Sequence, residues 1–242
     1  VHDIWIEDDR PAALNSQQKR DAAWGVPGSQ IQLWPALLAL LVAVVLYVTL
    51  PGHLYYGPVW VLPVVEGALF LLLLVARRRE DEGQTWQHRL VVGFIAVMNA
   101  ANVGSLLLLI HALLGNLPVN GHGITAQHLL VWSAQIWVTN VIVFGLWYWE
   151  LDRGGPHARL QSRHRAPDFL FPQMNNPDAA PRGWTPSFLD YLYTSFTNAA
   201  AFSPTDTLPL TGWAKTLFAI QSMTSLLTAV LVIARIANIL PG

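Results

Sequence analysis

The sequence has no cysteine. That excludes disulfides, thiolate-held metals and thiol nucleophiles, and it leaves the redox compartment open. Charge is scarce as well. Only 12% of residues are charged, against about 25% in an ordinary soluble domain. The formal net charge of -1 gives no basic surface for nucleic acid. No HExxH pair, glycine-rich phosphate loop or nucleophile–base pair is present, so no enzyme activity, bound metal or cofactor is expected. The acidic segment VHDIWIEDDR carries no signal-peptide pattern. What the chain has instead is long apolar runs, which mark a multi-pass protein of the lipid bilayer.

Residues 1–32 form a polar tail, expected in the cytoplasm. A peripheral region of three spanning helices follows over 33–125, with spans read at 33–50, 59–76 and 90–114. Tyr55, Tyr56 and Trp60 sit where an interfacial aromatic belt belongs. Glu66 lies inside the second span, where an acid is costly. It reads either as a functional group or as a hydrogen-bonded helix contact. Asn99, Asn102 and Ser105 recur at helical spacing in the third span, with Gly93 and Gly104 permitting close approach, the pattern of helix–helix packing. His111, His122 and His128 lack metal-ligand spacing.

The fourth span, 126–149, carries Gln135, Asn140 and the belt aromatics Trp147, Tyr148 and Trp149. The linker 150–186 is rich in Pro, Gly and Arg and too polar to span. Phe169, Leu170, Phe171 and Met174 are its apolar residues, expected against the bundle or in the interface. Next comes TPSFLDYLYTSFTNAAAFSPTDTLP. Thr185 suits a helix N-cap, Pro186 the first helical position, and Asp190 the first turn. A helix over 186–200 is too short to cross a bilayer and runs into a polar loop, 201–209. Irregular backbone at that depth is tolerated only inside protein or beside a water-filled cavity. The fold expected is therefore all-α integral membrane: five transmembrane helices plus a re-entrant pore helix and loop between the fourth and fifth. The channel-like module covers 126–242, with its inner helix at 212–240.

That module resembles the pore of the tetrameric potassium channels. Ser195, Phe196 and Thr197, followed by Asn198, are similar to the end of the family's pore helix. Without a gap, Ala201 falls on the first filter threonine and Phe202 on the valine. Ser203, Pro204 and Thr205 fall on Gly-Tyr-Gly, and Asp206 on the closing aspartate. The resemblance implies a homotetramer around a pore, with Gln221, Ser225 and Thr228 of the inner helix lining a cavity. Two departures change the chemistry. Both filter glycines are replaced, and Pro204 fixes φ and removes an N–H. Stacked carbonyl rings for potassium are not expected. A ring of hydroxyls and Asp206 carboxylates would select monovalent cations weakly.

Lys and Arg cluster before the first span (Arg10, Lys19, Arg20), between spans two and three (Arg77, Arg78, Arg79, Arg89) and after span four. The positive-inside rule then puts the N-terminus and the linker in the cytoplasm, in the plasma (inner) membrane. Either the loop enters from the cytoplasmic face, inverted relative to potassium channels and like ionotropic glutamate receptors, or the charge pattern misleads and it enters from the outer face; inversion is favoured because three clusters agree. Three functions are weighed: a weakly selective cation channel, a non-conducting channel-fold scaffold or regulatory protein, and a small transporter.

Overall fold

The computed structural model describes residues 32–54, 64, 67, 84–114, 126–159, 166–176, 184–201 and 206–239. The tail, Glu66 with most of the second expected span, and the loop residues Phe202, Ser203, Pro204 and Thr205 lie outside them. The described elements are α1 (Trp34–Val48), α2 (Gln84–Leu114), α3 (Ala126–Leu151), α4 (Pro156–Arg159), β1 (Phe169–Leu170), α5 (Pro172–Asn175), α6 (Phe188–Ala201), β2 (Leu208–Pro209) and α7 (Gly212–Ile239). Short 3-10 turns occur at Gly52–Leu54 and Asp152–Gly154.

Two described helical stretches are long and apolar enough to cross a membrane, His88–Ala112 and Gln127–Gly154. The apolar α1 is shorter, at 15 residues, and Pro35 at its start supplies a pre-set φ where no intrahelical N–H bond is needed. α3 is the central element. Its residues from Asn140 to Leu146 are buried without a break, because α1, α2, α6 and α7 all pack around it. A helix apolar on every side is what such a position requires.

One end of the bundle is filled by Phe94, Ile95 and Met98 of α2, Val143, Phe144 and Tyr148 of α3, and Phe218 of α7. The other end holds Tyr47, Leu50 and Leu54 against Leu106, Leu109, Leu129 and Ile136. α2 and α3 therefore run antiparallel. Their ends are joined where His88 Nδ1 meets Glu150 Oε1 at 2.8 Å.

The linker does pack on the bundle. Phe169 and Phe171 are buried. The Phe169 ring lies among Tyr148, Trp213 and Phe218 at centroid distances of 5.1, 5.6 and 5.6 Å. An element absent from the sequence reading appears here: β1 pairs antiparallel with β2, Phe169 opposite Pro209 and Leu170 opposite Leu208. Pro209 is tolerated because a two-stranded ladder is all edge.

Candidate functional site

α6 is 14 residues long, which gives a rise of about 21 Å, well short of a bilayer's hydrocarbon thickness of ~30 Å. Its start differs from the sequence expectation. Ser187, not Thr185, is the capping residue: its backbone N–H and hydroxyl both donate to Asp190 Oδ2 at 2.7 Å. A residue reaching back three positions to the cap is the capping-box arrangement. The helix ends at Ala201, one residue past the expected end.

The faces of α6 are inverted relative to a soluble helix. Its buried face carries Phe188, Tyr191, Thr194, Ser195, Asn198 and Ala199. Its outward face carries Leu189, Tyr193 and Phe196, at 61%, 55% and 48% exposure. The buried polar groups form a closed network. Ser195 Oγ donates to the Val141 carbonyl at 2.7 Å. Gln221 Nε2 of α7 donates to Ser195 Oγ at 2.6 Å and to its carbonyl at 3.0 Å. Gln221 Oε1 accepts from Asn198 Nδ2 at 2.8 Å and from the Tyr148 hydroxyl at 2.5 Å. Ser222 Oγ donates to Asn198 Oδ1 at 3.0 Å. Three helices are thus locked at one level, and polar atoms that would each be costly unpaired are satisfied.

The position of α6 also depends on Gly145 of α3. A Cβ there would lie 3.1 Å from Leu192 Cδ1 and 3.2 Å from Leu192 Cα. The glycine is what allows the two backbones to approach.

A second cluster anchors the foot of α6. Asp152 and Arg153 are buried just past the end of α3. Asp152 Oδ2 accepts from the Tyr191 hydroxyl at 2.5 Å and from Arg153 Nε at 3.0 Å. Asp152 Oδ1 accepts from the Asp168 N–H at 2.9 Å. Asp168 in turn accepts from the Arg153 N–H at 2.8 Å and from Trp213 Nε1 at 3.0 Å, and its carbonyl accepts from the Leu210 N–H at 2.8 Å. Arg159 lies over the Trp149 and Tyr191 rings, 5.9 and 5.2 Å from their centroids. With both carboxylates fully engaged, the cluster is built to hold position: it ties α3, the linker, α6 and the start of α7 together. The chain bends there through Arg153, Gly154 and Gly155, all at positive φ.

No protein-family model, no curated protein and no solved structure matches this chain. The site is therefore read from its own geometry.

Of the residues singled out from sequence, Ser195 and Asn198 lie together in the network, and Thr197 is half-buried with its hydroxyl on the Thr194 carbonyl at 3.0 Å. Ala201 and Asp206, at the two ends of the loop, are exposed. Thr194 and Thr207 bridge the loop's flanks, hydroxyl to hydroxyl, at 3.1 Å. Gln221, Ser225 and Thr228 are all buried within the chain. Gln221 faces α6 and Tyr148, Ser225 accepts from Asn140 Nδ2 at 2.9 Å, and Thr228 bonds the Thr224 carbonyl of its own helix. Of the expected belt aromatics, Tyr148 and Trp149 are buried in the bundle core, and Trp147 is half-buried. Asp168, Tyr191 and Trp213 were not singled out by the sequence reading. Tyr191 had a usable signal, since Phe188, Tyr191, Ser195 and Asn198 share one stripe at helical spacing.

Proposed function

We propose that this chain is the subunit of a potassium-channel-like homotetramer in the plasma (inner) membrane. It acts as a weakly selective pore for monovalent cations. One observation carries the reading. A helix too short to cross a bilayer is fixed between two long helices by its polar face, and its last residue, Ala201, comes five residues before the exposed Asp206. The partial negative charge at that terminus favours a cation. Five spans, with the loop entering from the cytoplasmic side, complete the arrangement. The loop's hydroxyls at Ser203 and Thr205 and the Asp206 carboxylate supply the ring.

The test is reconstitution into liposomes with potassium, sodium and chloride gradients. Cation flux should exceed chloride flux, and Asp206→Asn should lower that preference severalfold. Absence of flux for every ion from correctly folded protein, or a dimer in place of a tetramer, overturns the conducting reading.

A second reading has its own support. Gln221, Ser225 and Thr228 turn into the subunit, so the polar residues of α7 serve packing. A channel fold kept as a non-conducting scaffold accounts for that equally well. The same liposome experiment separates the two.

A further inference from the structure

Three side chains in the interior carry a polar atom with no hydrogen-bond partner among the described residues: Asn102 Nδ2 and Ser105 Oγ on α2, and Asn140 Oδ1 on α3. Each residue is at most 2% exposed. Asn99 Oδ1 on α2 is another such atom, on a half-buried residue, as are Gln135 Oε1 and Trp147 Nε1 on α3. The other arm of the Asn140 amide is committed to Ser225. Unlike the Gln221 network, this set is incomplete.

Asn99, Asn102, Ser105 and Asn140 belong to one region. The His88–Glu150 contact fixes the relative height of the antiparallel α2 and α3. Counting along both helices at about 1.5 Å per residue, Asn99 and Asn102 fall near the height of Thr139 and Ile136. Asn140 is then within about one helical turn of both, and Ser105 falls at the height of Ser133. The heights are compatible and so is the chemistry. Asn102 offers a donor, Asn99 and Asn140 offer acceptors, and Ser105 can do either. Ser105 lies about 9–10 Å along the axis from Asn99 and Asn140, so a short file of small groups that both donate and accept, not one molecule, completes the set. Water does this, and buried waters occupy sites with two to four such partners. A bare cation fits worse, because Asn102 presents an N–H₂.

We infer that this Asn99–Asn102–Ser105–Asn140 layer is an internal water-binding site between α2 and α3, within a single subunit and away from any symmetry axis. It stands whether or not the axis conducts.

The chain's three methionines provide the test. Met98 is buried, next to Asn99 and one turn from Asn102. Met174 lies in the linker, and Met223 is on the exposed apolar face of α7. The full chain is placed in lipid nanodiscs and pulsed with X-rays in ¹⁸O-water, so that hydroxyl radicals formed from bound water label their neighbours. Met98 should take up label despite its burial. A Met98 that stays unlabelled while Met174 is labelled overturns the inference, and this comparison needs no variant. In the variant N102L/N140L, Met98 labelling should be lost while Met174 labelling is retained. Undiminished Met98 labelling in that variant, shown to be folded by size exclusion, also overturns it.

Discussion

The Tyr191 hydroxyl donates to Asp152 Oδ2 at 2.5 Å, across 39 residues of chain. This contact pins the foot of the half-length helix to the end of the central one. Tyr191→Phe keeps the ring packed against Phe169 and Phe171 but leaves the buried carboxylate one donor short. The expected cost is about 1–3 kcal/mol, read as a lower Tm in detergent. Asp152→Ala strands the buried Arg153 as well and should cost more, about 3–5 kcal/mol. Equal Tm for Tyr191→Phe and the wild type would show that the contact does not hold the junction.

Gln221 serves Ser195, Asn198 and Tyr148 at once. Gln221→Leu should therefore destabilise by about 1–3 kcal/mol although the site is apolar in its surroundings. In a double-mutant cycle with Asn198→Ala, a coupling of roughly 0.5–3 kcal/mol is expected. Strict additivity of the two changes would contradict the network.

Gly155 sits at φ 99°, and a Cβ there would be 2.9 Å from the Glu150 carbonyl oxygen. Gly155→Ala combines a strained backbone with a backbone clash, at an expected cost of about 1–3 kcal/mol. Gly212, with nothing within 4 Å, is the matched control. Gly212→Ala should leave Tm unchanged or raise it slightly, through a less flexible unfolded chain. Thermal melts of the two single variants decide the point.

Gly145→Ala pushes a methyl against the Leu192 backbone. Packed helices yield little, so a loss of about 1–3 kcal/mol is expected. The loss should come with weakened protection of the Ser195 and Asn198 amides in hydrogen exchange, because α6 has to move off α3. Unaltered exchange in α6 would mean that the close approach is dispensable.

Sequence patterning was enough to locate most of the long helices. Helices do occur where the third to fifth spans are expected, as α2, α3 and α7, and two of them, α2 and α3, contain stretches long and apolar enough to cross a membrane. The short helix was also legible, down to its polar Ser195–Asn198 run. Its start was not. Thr185-Pro186 and Ser187 both satisfy capping preferences, and only the three-residue spacing from Ser187 to Asp190 favours the second. Tyr148 was misread because aromatic residues near a helix end suit an interface equally well as a core. Its hydroxyl partner lies 73 residues away. The Asp152–Asp168 junction and the β1–β2 ladder were invisible for the same reason. Each depends on residues distant in sequence, and strands of two residues have no period to detect.

The ladder between β1 and β2 has a mechanical consequence. The segment leaving the loop, at Leu208 and Pro209, is hydrogen-bonded to the linker that precedes α6. The segment entering the loop belongs to α6 itself. One side is thus carried by α6 and the other by a linker whose Phe169 and Phe171 are buried in the bundle. A pull on either side of residues 202–205 is therefore shared by α3, the linker and α7 at once, through Asp168 and its bonds to Arg153, Trp213 and Leu210.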